Sequence, residues 1–469
     1  MMKKNGKTLV LLGVILFIML LTWVIPSGSF STGEYVSNGV NPTGLFDFFV
    51  MVYYAFTLKA MDIIYILMIG GAYGVLSKAD SYRKLVDKLA NVVKKNDIIA
   101  MMLVTFLVAL FVSITNEFLV VLGVLPFIVS VFLKAGKDRL TALSASFGGL
   151  FIGIIGKTFG TYGMAALNEA LELTVTSSIV YKLILFVLAY MLYNLFAILH
   201  MKKVEVVDET KYDLFITEEY VEKKSKKSKV KRVWPLIVIS SIVILIGVLA
   251  FISWDKSFGI EIFKNAYEAI GKVKYANMPI MTNILGSVTE FGTWNTMFLD
   301  FVILLSIVLI AIIDKMSVNA FFTNFHNGIR KIYKVAFIYV LINCVYVIFY
   351  YFPIGITIMN FILGKGTFNM FTLLIVGFIG LLFAVDYEMV GNALGTYLAI
   401  LFAEKAAETG LIIYLGMSIA TLVVPTSYIL MIALHYLEIP YTKWFSYIWK
   451  FLLSIIVVIL LVLAIMCFM

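Results

Sequence analysis

Charge is scarce in this chain. Only 14% of its 469 residues are Asp, Glu, Lys or Arg, against 62% hydrophobic. A water-soluble domain of this length could not cover its surface with so few polar groups, and the same apolar content excludes disorder. Cysteine is scarcer: Cys344 and Cys467 lie far apart and cannot frame a disulfide scaffold. The three histidines, His200, His326 and His435, are scattered and suggest no metal site. Neither an HExxH helix nor a GxSxG elbow occurs. Gly156-Lys157-Thr158 is not a Walker A loop, because Phe151 stands where its first glycine belongs. An enzyme acting at membrane depth therefore lacks a recognisable nucleophile, base or metal set, and no cofactor is called for. The longest polar stretch, 201–232, is shorter than the roughly 40 residues a domain needs to hold itself together, so no segment can house a nucleotide-binding domain.

Apolar runs of about 20 residues, by contrast, recur from end to end, the mark of a polytopic membrane protein. The net charge of +9 does not point to nucleic acid, because seven of the basic residues crowd into 223–232 between apolar segments. That is a cytoplasmic loop obeying the positive-inside rule and touching anionic headgroups. The N-terminal MMKKNGK and the apolar run 8–25 are too long for a cleaved signal and read as a retained first helix, starting in the cytoplasm.

An all-α membrane protein with about nine transmembrane helices follows. Helices are expected at 8–25, 61–76, 140–173, 177–200, 234–252, 296–313, 335–363, 411–437 and 444–469. Residues 46–56 form an aromatic stretch at the outer interface, and 78–97 and 314–334 are basic stretches on the inner face. Two apolar segments, 98–134 and 371–403, are interrupted at their midpoints by Ser113-Ile114-Thr115-Asn116-Glu117 and Asp386-Tyr387-Glu388. Each reads as a re-entrant hairpin with a polar tip, tolerated at depth only inside protein or beside a wet cavity. An offset of 271 lays Glu117 on Glu388 (388 − 117 = 271) and Gly153–Lys157 on Val424–Tyr428. The expected organisation is a first repeat (1–200), a basic linker (201–232) and a second repeat of opposite orientation (233–469), the pattern of inverted-repeat secondary transporters.

Polar groups in the middle of apolar segments are costly unless partnered, so they are the site candidates. Ser113, Thr115, Asn116 and Glu117 could coordinate a solute or ion, and Glu117 could be reversibly protonated or merely cap a half-helix. Lys157 and Thr158 fall in a glycine-rich stretch, where the lysine would neutralise Glu117 or meet a substrate carboxylate. Asp386 and Glu388, followed by Asn392, could hold a cation, share a proton or point into water. Pro425, Thr426 and Ser427 break a helix, free a carbonyl and add two hydroxyls, which suits sodium. Asp62, Asn283, Glu290 and Asp300 lie near span ends, where snorkelling to water suffices.

The TWVIPSGSF opening, the NEFLVVLGVLPF hairpin with its KAGKDRLTALS turn, and the VVPTSYILMIALHYLEIPYTKWFSYIWKFLL close resemble the C4-dicarboxylate anaerobic carrier family, especially its YfcC-like branch. The resemblance spans most of the chain. It implies the ion transporter superfamily, with two opposed hairpins and two broken helices forming an elevator-type transport domain, commonly in a homodimer. Two departures stand out: Asn116 replaces an acid of the first tip, and DYEMVGNALG replaces a Ser/Gly-rich second tip. Family members handle dicarboxylates or amino acids. An acidic second tip repels a dianion at low dielectric, which favours an amino acid over a dicarboxylate. The sequence thus points to a secondary carrier in the cell membrane, coupled to sodium or protons or working by exchange. A channel, or a membrane-embedded sensory or structural protein, is the alternative.

Overall fold

The structure is a computed structural model that describes residues 2–31, 34–204, 215, 233–274, 278–364 and 366–468. The expected linker at 201–232 lies almost wholly outside them. The first helix, α1 (Met2–Leu21), leads to a feature the all-α expectation missed. Strand β1 (Ser27–Ser31) pairs antiparallel with β2 (Glu34–Gly39). This hairpin is pinned by stacking of Phe30 on Tyr397, ring centroids 3.9 Å apart, and by a 2.9 Å hydrogen bond between the Tyr35 and Thr357 hydroxyls.

Helices α2 (Asp47–Leu58) and α3 (Ala60–Leu76) meet at Lys59 with a 72° bend. Amphipathic α4 (Asp80–Lys95) follows, carrying Lys94 and Lys95 in its last turn. The segment expected as the first hairpin folds as α5 (Asp97–Thr115), α6 (Phe118–Val121) and α7 (Leu125–Lys134). Its two ends return to the same place, because Lys137 Nζ lies 2.6 Å from Asp97 Oδ2. The span expected at 140–173 is interrupted. Helix α8 (Arg139–Ile155) stops in the glycine-rich stretch, and the chain is irregular until α9 (Ala165–Ala170). Helix α10 (Ile179–Met201) closes this half.

The second half starts with α11 (Trp234–Phe251), three short helices α12 (Trp254–Phe258), α13 (Ile262–Gly271) and α14 (Ile280–Leu285), and α15 (Thr296–Ile313). The basic stretch expected at 314–334 is no separate surface segment. It is the first half of α16 (Val318–Tyr351). Gly328 and Ile332 are buried one turn apart on one side while His326, Arg330 and Lys334 stay exposed, so an amphipathic beginning merges into an apolar span. The span expected to run to 363 stops before Pro353, as the residue preceding a proline disfavours helix, and α17 (Ile354–Leu363) is distinct. Then come α18 (Met370–Ala384), α19 (Tyr387–Leu401), α20 (Ala406–Val423), α21 (Tyr428–Tyr436) and α22 (Tyr441–Phe468). Among the described residues seven helices are long and apolar enough to cross a membrane, or eight if α2 and α3 are one bent span.

The tightest crossings are made by glycine. A Cβ on Gly328 would strike the Gly70 carbonyl, and one on Gly74 the Asn324 carbonyl, so α3 and α16 touch backbone to backbone. Gly149 sits against the Thr105 carbonyl and Gly153 against the Ala109 carbonyl. Helices α5 and α8 therefore run in the same direction. The same holds for α18 and α20, where Gly377 faces the Ile413 carbonyl and the Thr426 hydroxyl donates to Leu382 O at 2.9 Å.

Candidate functional site

Both interrupted segments break in the same way. Asn116, after α5, and Val385, after α18, adopt left-handed conformations with φ of 62° and 65°. Asn tolerates that region, but a β-branched Val is strained there, and such strain persists only when its surroundings impose it.

The first break is bonded tightly to the α8–α9 interruption. Ser113 Oγ donates to Gly156 O at 2.6 Å and lies 2.9 Å from Thr158 Oγ1, while Thr158 N donates to Ser113 O. Thr115 Oγ1 donates to Phe111 O and accepts from Glu117 N. Asn116 Nδ2 donates to Tyr162 O at 2.7 Å, and its Oδ1 accepts from the Tyr414 hydroxyl at 3.2 Å. The Glu117 carboxylate is half-buried and, among the described residues, has no hydrogen bond or ion pair.

Lys157 does not neutralise it. The lysine is 6% exposed, forms no ion pair among the described residues, and holds its ammonium 4.8 Å from the centre of the Tyr414 ring. Its place just past α8 follows from Gly156, which ends the helix against Phe186 of α10, and from Gly160, which lets the backbone close on Thr115 and Asn116 at the end of α5.

At the second break, Asp386 caps α19 by accepting from Glu388 N and Met389 N, and its Oδ2 lies 3.2 Å from Lys59 Nζ. Glu388 accepts from Ala165 N and Ala166 N at 3.0 and 2.9 Å, capping α9 across the two halves. Tyr387 connects the breaks: its ring lies 5.7 Å from those of Phe118 and Tyr414, and its hydroxyl bonds Thr421 at 2.6 Å. Asn392 is exposed and makes no hydrogen bond among the described residues, so it stands apart from this cluster.

Pro425 ends α20 as its missing N–H demands. The carbonyls left free there do not remain open. Leu422 O accepts from Trp444 Nε1 at 2.9 Å and Val423 O from the Tyr441 hydroxyl. The Thr426 hydroxyl is spent on Leu382 O, and Ser427 caps α21 through Leu430 N.

The sequence does not single out Lys59, and it sets Asp62 and Asp300 aside as span-end residues. Lys59 stands at the α2–α3 bend. Asp62 does not snorkel: its Oδ2 accepts from the Tyr339 hydroxyl at 2.6 Å, between α3 and α16. Asp300 is 8% exposed, and its buried Oδ1 has no hydrogen-bond partner among the described residues. The available signal was the polar interruption Lys59–Asp62 between two apolar stretches, the same kind of signal that marked both tips.

The profile of the C4-dicarboxylate anaerobic carrier family matches residues 6–468. No curated protein matches. Among solved structures, the chain is similar to the Alcanivorax borkumensis YdaH transporter at 14% identity and TM-score 0.43, covering 98% of each chain. It is also similar to Neisseria gonorrhoeae MtrF, described with a class of antimetabolite efflux pumps, at 13% identity and TM-score 0.39 over 98% of this chain and 94% of that one. With the match running over nearly its whole length, this chain is a membrane protein belonging to the C4-dicarboxylate anaerobic carrier family.

Proposed function

We propose that the protein is a secondary active transporter of a small carboxylate-bearing solute, working by alternating access of an elevator type. The observation that carries this reading is the meeting of the two helix breaks: Asn116–Glu117 and Val385–Asp386 share Tyr387 and Tyr414 as neighbours, beside the interruptions of α8–α9 and α20–α21. Irregular backbone at membrane depth is tolerated where it lines a solute path.

Two internal correspondences support an inverted repeat. The offset of 271 carries Asp47, the first residue of α2, onto Val318, the first of α16 (47 + 271 = 318). In each half the helix before the break packs along the helix that follows the hairpin, α5 on α8 and α18 on α20. The proposed organisation keeps nine crossings, two re-entrant hairpins, a cytoplasmic N-terminus in the plasma membrane, and a homodimer. The YfcC-like branch is part of the same reading.

The hydroxyls of Ser113, Thr115, Thr426 and Ser427 all bond to protein groups, whereas the Glu117 carboxylate is free of partners among the described residues. A proton carried by Glu117 therefore fits better than sodium. Asp386 is paired with Lys59 and Glu388 accepts from the α9 amides, so the second break opposes a dianion less than two unpartnered acids would. An amino acid and a dicarboxylate both remain within the proposed class, and the family description names C4-dicarboxylates.

The test is charge movement and counterflow in proteoliposomes of the purified protein. The panel holds arginine, neutral amino acids and dicarboxylates, with and without sodium and with an imposed pH gradient. A saturable signal for a carboxylate, driven by the pH gradient, is the expected outcome. Absence of both current and counterflow across the panel would sink the carrier reading.

A further inference from the structure

A cavity opens beside Lys157, between α20 and α9, the short helix whose N-terminus Glu388 caps. Lys157 and Lys182 both line it, together with Asn168, Thr174, Ser177 and Tyr414, and none of its lining residues is acidic. It runs from the exposed Thr174 at its mouth to the buried Lys157 inside. Lys182 Nζ donates to Val175 O at 3.0 Å, which holds the second ammonium in place without neutralising it.

Two cations facing one cavity repel each other, and a buried ammonium without an anion loses its hydration for little return. The Tyr414 ring face offsets part of that loss for Lys157. The acid whose field reaches Lys157, Glu388, is already held by two backbone amides of α9. Among the described residues no acid lines the cavity to offset its two ammoniums.

We infer that this cavity is a carboxylate-binding subsite, with Lys157 as the anchor and Lys182 as the residue that distinguishes solutes with one negative group from solutes with two. The inference rests on the carrier reading above and locates the carboxylate beside α9 and α20, not at the acidic second break. Asn168, whose side-chain amide has no partner among the described residues, is placed to donate to the second carboxylate oxygen. Tyr414 lies between the subsite and the first break: its ring faces Lys157, and its hydroxyl donates to Ile154 O at 2.6 Å and lies 3.2 Å from Asn116 Oδ1.

The experiment is thermal stabilisation of the full-length purified protein by succinate, lactate and uncharged succinamide, paired with uptake of labelled succinate and lactate into proteoliposomes. Succinate and lactate stabilise the wild type and succinamide does not. Lys157→Met raises the half-saturating concentration of both acids at least tenfold. Lys182→Met does so for succinate but shifts lactate less than threefold, and Lys182→Arg stays near wild type. A readout on the unmutated protein guards against misfolded variants: succinate slows reductive methylation of Lys157 by formaldehyde with cyanoborohydride as the hydride donor, read by mass spectrometry. Should the wild type bind and transport these acids while the variants match it and Lys157 goes unprotected, the subsite is wrong and the carrier reading stands. Should the wild type neither bind nor transport any carboxylate, both fall.

Discussion

Lys59 and Asp386 meet with 3.2 Å between Nζ and Oδ2, joining the bend of α2–α3 to the second helix break. The two side chains are only 20% and 28% exposed, and Lys59 also lies 4.7 Å from the centre of the Tyr346 ring. If one group of helices carries the solute past another, this contact has to break and reform during transport. Lys59→Met leaves Asp386 without its partner at a cost of about 1–3 kcal/mol. The expected outcome is at least tenfold slower counterflow, with partial recovery in the charge-swapped Lys59→Asp, Asp386→Lys double variant. A double variant no better than the worse single one would mean the pairing itself is not what matters.

Glu117 is the carboxyl left without a hydrogen bond or ion pair among the described residues at the first break. Glu117→Gln keeps its shape and removes its ability to exchange a proton. Uptake driven by a pH gradient should disappear, while exchange between solute-loaded vesicles persists. Full pH-driven uptake in the variant would remove Glu117 from the coupling role.

The crossing of α3 and α16 has no room for a side chain at Gly328. Gly328→Ala forces two backbones apart, with a cost of about 1–3 kcal/mol typical of overpacking. Gly247→Ala is the matched control, because nothing lies within 4 Å of a Cβ there. Thermal unfolding in detergent should show a lowered Tm for the first and no loss for the second.

Asp138, in the turn before α8, caps that helix and lies 3.3 Å from His200 Nε2. Burial opposes its ionised form, but the bonds from His200 and Thr141 outweigh burial and hold the carboxyl below its ordinary value. A depressed folded-state pKa means that the stabilisation is present above the unfolded value of about 3.9 and is lost as pH falls through the folded one. Asp138→Asn should therefore lower thermal stability at pH 7, by about 1–2 kcal/mol. That difference should shrink as the pH is taken below about 4, measured as Tm against pH for both proteins.

Most helices can be read from the chain because lipid and protein interior impose the same demand: about 20 apolar residues with their backbone satisfied internally. The helix at Thr296–Ile313 starts and ends where its apolar run does. The breaks at Asn116, Asp386 and Pro425 were visible because polar or helix-breaking residues stand out against such runs. The continuous α16 was obscured because its basic first half resembles a surface segment. Only the packing of Gly328 and Ile332 toward α3 shows why it stays helical. The β1–β2 hairpin was hidden for a similar reason, since its support comes from Tyr397 and Thr357, far along the chain.

Partnering is where the two levels separate. Composition and hydropathy by themselves determine that this is a polytopic membrane protein, and they mark the breaks at Asn116, Asp386 and Pro425. Which of those residues are spent and which are free is decided by tertiary contacts between the halves. Glu388 is consumed by amides at Ala165 and Ala166, Asp386 by Lys59, and the carbonyls near Pro425 by Trp444 and Tyr441. Lys157 is left facing a cavity it shares with Lys182. A charge at membrane depth carries the same desolvation cost wherever it stands in the chain. Whether that cost is met depends on neighbours that other segments bring, from about 20 residues away for Leu422 and Val423 to more than 200 for Asp386 and Glu388, and only the fold supplies them.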